Sequence, residues 1–193
     1  MKVLKLLWKY FLFFLHTIRC IPHLVMFYIS KNKPIIKVDM KRAFDLMDGE
    51  MKSPRGLLYL LTFRQFRNLF YFRIGPFSTL LNIVCPELSS LHIHARRIGE
   101  GLAIIHGVAT EIGAESIGKN CTIFQQVTIG GTIHGAPTIM DNVTIYAAAV
   151  VVGKITIGNN VVIGANATVC TNVPDNCTVL PGSSKVMRWN KRD

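Results

Sequence analysis

A strict step of six residues runs through the second half of this chain and constrains its fold more than any other feature. Ile117, Ile123 and Ile129 are six apart, and after a gap Ile139, Ile145, Val151, Ile157, Ile163 and Val169 resume the step. Upstream, Ile98 and Ile104 keep it too. Four residues beyond each marker stands a second apolar or small residue: Cys121, Val127, Val143, Ala149, Ile155, Val161, Ala167 and Val173. The residue just after the marker is often glycine, as at Gly99, Gly118, Gly130, Gly158 and Gly164. An amphipathic helix repeats at about 3.6 residues and a half-buried strand at about 2, so neither produces this pattern. Six residues make one short strand and one turn, too little to bury anything alone. Three such units make a triangular coil, and stacked coils align the markers into a continuous apolar column. The β-branched markers suit the extended segments, and Gly, Asn and Asp suit the turns.

Against this regularity two departures stand out. Ile112 to Ser116 is one residue short of a hexad, and Ile129 to Thr138 holds ten residues where six suffice. A loop of about four extra residues is therefore expected near Gly130-Gly131-Thr132-Ile133-His134-Gly135, and insertions in repeat architectures tend to mark the binding face.

The first half of the chain differs in kind. Up to Arg97 there are sixteen Lys/Arg and five Asp/Glu; beyond it there are six of each, so the whole net charge of +11 lies in the first half. Residues 1–30 are strongly apolar, but Lys2, Lys5, Lys9 and Arg19 interrupt them and Pro22 would kink or end a helix. A spanning helix needs about 20 predominantly apolar residues with few charges, and no small-residue cleavage site marks a signal peptide. On a helical wheel Lys2, Lys5, Lys9, His16, Arg19 and His23 fall within roughly 100° of one another. A narrow basic stripe on an apolar helix suits a membrane interface; a helix buried in an oligomer would carry the same stripe to solvent, and a membrane-spanning helix is the third alternative. Residues 31–91 read as mostly helical, with Arg64, Arg67 and Arg73 among Phe63, Phe66, Phe70 and Phe72. No recognition motif for nucleic acid accompanies this charge. Five cysteines, Cys20, Cys85, Cys121, Cys170 and Cys177, show no CxxC pair and no metal-ligand spacing, which favours reduced thiols in a cytosolic chain. The organisation expected is thus an amphipathic membrane-interface region (1–30), a helical region (31–91) and a repeat domain with its tail (92–193).

From Ile98 to Arg188 the chain resembles the serine acetyltransferase-like branch of the hexapeptide-repeat acyltransferases. The resemblance rests on the repeat, on Ile105-His106-Gly107, on Val127-Thr128-Ile129-Gly130-Gly131-Thr132 followed by Pro137-Thr138-Ile139, and on Pro181-Gly182-Ser183-Ser184-Lys185 at the closing tail. It implies a mainly β fold: a left-handed parallel β-helix of hexapeptide repeats, preceded here by a short α-helical, basic N-terminal region. It also implies a homotrimer with acetyl-CoA as co-substrate in the groove between prisms, and no metal. His106 matches the catalytic histidine of the family. An acceptor hydroxyl attacks a thioester well only as its proton is removed, and imidazole is tuned for that near neutral pH. Gly130, Gly131 and Thr132 are the expected acetyl-CoA contacts beside the oxyanion, with Lys185 toward the CoA phosphates.

The departures from the family pattern shape the expected substrate. The family's aspartate before the catalytic histidine is Ile105 here, and its second histidine, in a His-Pro pair, is Ala136 before Pro137. His134, two residues earlier, could stand in for it. Without a carboxylate for the substrate ammonium, and with a membrane-suited N-terminus, the expected acceptor is a sugar hydroxyl of a bacterial surface polysaccharide or its lipid-linked precursor, acetylated at the cytoplasmic face of the membrane. L-Serine is the alternative acceptor. A zinc enzyme of the γ-carbonic anhydrase type using His92, His94 and His106, or a non-catalytic scaffold, are further alternatives.

Overall fold

A computed structural model describes residues 2–47 and 55–182. Six helices come first among these: α1 (Lys2–Arg19), α2 (Ile21–Ile29), α3 (Lys33–Asp45), α4 (Arg55–Leu60), α5 (Arg64–Ile74) and α6 (Ser78–Val84). Thirteen short strands follow: β1 (Leu91–Ile93), β2 (Ala103–Ile104), β3 (Thr110–Ile112), β4 (Ser116–Ile117), β5 (Thr122–Ile123), β6 (Thr128–Gly130), β7 (Thr138–Ile139), β8 (Thr144–Ile145), β9 (Val150–Val152), β10 (Thr156–Ile157), β11 (Val162–Ile163), β12 (Thr168–Val169) and β13 (Thr178–Val179).

The strands pair in parallel as three sheets: β1-β3-β6-β9-β12, β4-β7-β10, and β2-β5-β8-β11-β13. Successive strands visit the three faces in turn, so the chain winds about five coils of a left-handed parallel β-helix, as the period of six requires. The register puts marker on marker: Ile104 on Ile123, Ile123 on Ile145 and Ile145 on Ile163 along one face, and Ile112 on Ile129 and Ile129 on Val151 along another. Every one of these side chains is buried. Cys121 fills a core position among them.

The corners explain the turn residues. Asn120, Asn142, Asn160 and Asn176 all adopt left-handed backbone at the corner leading into the third face. This conformation disfavours most side chains but is tolerated by Asn. The amides stack as a ladder, Asn142 Nδ2 donating to Asn160 Oδ1 (3.1 Å) and Asn160 Nδ2 to Asn176 Oδ1 (2.9 Å). Glycine at 118 has a different cause: a Cβ there would lie 2.6 Å from the backbone of Met140 in the next coil.

The helices form a second apolar core around Phe27, Ile36, Met40, Leu57, Leu61 and Phe70 and seat against the first coil through two polar joints. Asn68 of α5 donates to the carbonyls of Leu88 and Leu91 and accepts from the Leu88 N–H. Arg73 of α5 and Asp39 of α3 form a buried ion pair (2.9 Å). Arg73 also donates to the carbonyls of Ile98 and Gly99, both at 2.6 Å, while Asp39 accepts the N–H groups of Gly101 (2.7 Å) and Leu102 (3.2 Å). Buried charges persist only with such complete pairing.

The expected basic stripe on the N-terminal helix is corrected in its C-terminal half. His23 is fully buried and hydrogen-bonded to the Tyr71 hydroxyl (2.8 Å), and His16 lies near the Leu58 carbonyl (3.1 Å). Both face the protein, because they lie on the side of α1 and α2 that packs on the helical core. The side chains of Lys2, Lys5 and Lys9 lie outside the described residues. Leu7, Trp8, Phe11, Phe14, Leu15 and Ile18 are exposed. Among the described residues no single helix is long and apolar enough to cross a membrane; α1 and α2 together form a pair bent by 49°.

Candidate active site

His106 owes its position to an interruption of the repeat. The register pairs Ile104 with Ile123 and Glu111 with Thr128, so seven steps on the lower coil face five on the next. Two residues are extra, and they bulge from the corner between the third face and the first. Here the Gly107 N–H donates to the Ile105 carbonyl (2.8 Å), closing a three-residue turn with His106 at its apex. His106 has φ +64° and Gly107 φ +68°. Turns of this kind are rare and strained for a residue with a side chain. Gly107 fits for a second reason: a Cβ would lie 3.0 to 3.2 Å from Gln65, Leu91 and Ile104. The bulge thus projects an exposed imidazole while its following residue is clamped between helix α5 and the prism.

Beside His106 a cavity of about 220 Å³ opens between the helices and the first coil. Ala43, Met47, Phe63 and Phe66 wall it from the helical side and Ile104 and Ile105 from the prism. Among its lining residues, Gln65 and His106 carry the polar side chains.

The inserted loop leaves a different edge, between the first face and the second. After β6, Thr132 and Gly135 exchange hydrogen bonds (2.9 and 3.1 Å), and the Thr132 hydroxyl accepts the His134 N–H (3.2 Å), so the loop is a tight hairpin with Ile133 and His134 exposed at its tip. Gly130 faces open space, and a Cβ on Gly131 would touch Ala136 and the Gly135 carbonyl. His106 and the loop carrying Gly130, Gly131, Thr132 and His134 therefore stand on two separate edges of one prism. Lys185 lies outside the described residues.

His92 and His94 do not join His106. Both lie on the outer side of the first face against Glu111 (3.2 and 3.6 Å). Among the described residues the histidine trio of the zinc-enzyme alternative is not assembled.

A family model, the bacterial transferase hexapeptide (six repeats), matches residues 136–171. The chain is 38% identical over 135 residues to the serine acetyltransferase of Synechococcus elongatus, covering 66% of this chain and 55% of that protein. It is 35% identical over 137 residues to the serine acetyltransferase of Helicobacter pylori strain 26695, covering 68% of this chain and 78% of that one. The chain belongs to the serine acetyltransferase family. A crystal structure of Neisseria gonorrhoeae serine acetyltransferase in complex with serine superposes with a TM-score of 0.63 at 29% identity, over 80% of this chain and 68% of that one. The chain spans about half the length of the relatives from Synechococcus elongatus and Staphylococcus xylosus.

These relationships correct the expected sugar acceptor. The relatives bear the name serine acetyltransferase, and a solved neighbour was captured with serine. That expectation rests on Ile105, which lines the cavity beside His106, and on the basic stripe of the N-terminus, whose His16 and His23 face the protein. The sequence reading also missed the cavity and the two-residue bulge. The bulge had a visible signal, since Ile104 to Ile112 is eight residues where six are regular. The cavity had none, because half of its wall comes from helices remote in sequence.

Proposed function

We propose that this chain is a serine O-acetyltransferase that moves acetyl from acetyl-CoA to the hydroxyl of L-serine with His106 as general base. The relationship to the Helicobacter pylori enzyme over most of its length carries this reading. In the step proposed, the serine hydroxyl oxygen attacks the thioester carbonyl carbon as His106 takes its proton. The oxyanion collapses, the C–S bond breaks, and the proton passes to the departing CoA thiolate. The strained turn fixes where the His106 backbone stands before substrate arrives, and such positioning contributes to rate. The apolar wall on its flank keeps bulk water from the thioester, favouring transfer over hydrolysis.

Gly130, Gly131 and Thr132 are proposed to receive the thioester and CoA, and Lys185 the phosphates. Because the loop and His106 occupy separate edges of one prism, a complete site needs an edge of one copy facing an edge of another. A homotrimer supplies this, and His134 then approaches His106 from a neighbouring subunit. Thiol release from acetyl-CoA should depend on L-serine, and His106→Ala should lower kcat by roughly 10²- to 10⁴-fold. Serine-independent release, or a His106→Ala variant as active as the parent, would refute the assignment.

The exposed apolar surface of α1 is proposed to lie on the anionic cytoplasmic surface of a membrane, the complement of the positive charge concentrated in the first half of the chain. Cosedimentation with phosphatidylserine vesicles but not with phosphatidylcholine vesicles supports this. Failure to bind either, with α1 protected in the oligomer, would assign the surface to a second copy instead.

A further inference from the structure

Where α1 meets α2, three potential metal ligands converge that no sequence motif announces. Cys20 sits at the bend, His23 lies one turn later, and Cys85 ends α6, sixty-five residues away. All three are fully buried. The two sulfurs and a ring nitrogen of His23 lie within 4.8 Å of one another.

The hydrogen bonds define the state of the histidine. The Tyr71 hydroxyl spends its one proton on the carbonyl of Cys85 (2.6 Å), with that of Leu81 at 3.3 Å. Toward His23 it can therefore only accept, so His23 Nε2 carries the proton in their 2.8 Å bond. Nδ1 is left with a bare lone pair and, among the described residues, no partner. A buried lone pair without a partner is costly, and an imidazole whose other nitrogen is held by a neighbour is the usual form of a metal ligand.

The spacing suits a tetrahedral ion. Two thiolates on zinc, each at about 2.3 Å, stand about 3.8 Å apart; Cys20 Sγ and Cys85 Sγ are 3.7 Å apart. A disulfide would need about 2.05 Å. Cys20 and His23 share one helical side, being three residues apart.

We propose that Cys20, His23 and Cys85 bind one zinc ion that staples the bend between α1 and α2 to the end of α6. Two sulfurs and an imidazole nitrogen, all buried, favour zinc over harder divalent ions. On binding, both thiols lose their protons to solvent, the two thiolates balance the two charges of the ion, and His23 binds neutral. The site lies in the helical core, apart from His106, and acts on structure.

The test uses the full chain, purified without a metal-binding tag and supplied with zinc. Metal analysis should find about one zinc per chain. Cys20→Ser, Cys85→Ser and His23→Gln should each lose it, while Cys170→Ser keeps it. Cobalt in place of zinc should show the intense ligand-field bands of a tetrahedral thiolate site. A strong chelator should lower the melting temperature of the parent and expose Cys20 and Cys85 to alkylation, a readout that survives if the variants fold poorly. Parent protein without stoichiometric zinc after reconstitution, or with Cys20 and Cys85 joined in a disulfide, overturns the proposal.

Discussion

Asp39→Asn should loosen the joint between the helices and the prism. The Asp39 side chain is 2% exposed and that of Arg73 4%, so water cannot replace the lost charge. Asparagine can still accept from the Gly101 and Leu102 N–H groups through its oxygen, but it then turns an amide donor toward Arg73. The guanidinium keeps its bonds to the carbonyls of Ile98 and Gly99 and loses its only observed carboxylate partner among the described residues. Breaking a buried pair from one side costs about 3 to 5 kcal/mol, against a total stability of roughly 5 to 15 kcal/mol for a domain. Urea unfolding followed by circular dichroism, at one fixed protein concentration, measures the change. The helical signal should be lost at lower urea, with the β-helix signal less affected. In a double-mutant cycle with Arg73→Met, the pair should cost less than the sum of the singles by a few kcal/mol. Ala43 of α3 walls the cavity beside His106, so serine-dependent turnover should fall as well. An Asp39→Asn protein within about 1 kcal/mol of the parent, or a cycle without coupling, would refute the reasoning that this pair joins the two parts.

Gly107→Ala must place a Cβ at φ +68° and within 3.2 Å of three neighbours, so acetyl transfer should fall by about 10- to 100-fold through displacement of His106; an unchanged kcat would show that the turn does not position the imidazole. Ile123→Ala empties the centre of the apolar column and should cost about 2 to 5 kcal/mol in the same unfolding assay; a loss below about 1 would mean the coils close over the gap. Burial pushes the Cys121 thiol up to about 11, so its alkylation in native protein should stay slow from about pH 7 to 9, whereas exposed Cys170 should be alkylated readily; equal rates by mass spectrometry would contradict the packing of the second coil.

The step of six was sufficient for the β-helix because each marker residue meets its own counterpart one coil away; the contacts are local in the repeat, so a one-dimensional period encodes them. The inserted hairpin was legible for the same reason, as extra residues against a regular count. His106 was legible only through resemblance, since the period says nothing about which corner residue does chemistry. What tertiary structure alone decided are the features that join distant segments. Asp39 finds Arg73 and the first coil, helices α3 and α5 close a cavity over His106, and Cys20 and His23 meet Cys85. The N-terminal stripe shows the limit in one helix: the wheel correctly groups His16 and His23, but a wheel has no neighbours. Only the helical core, by packing against that side, turned those histidines inward and left the apolar side outside.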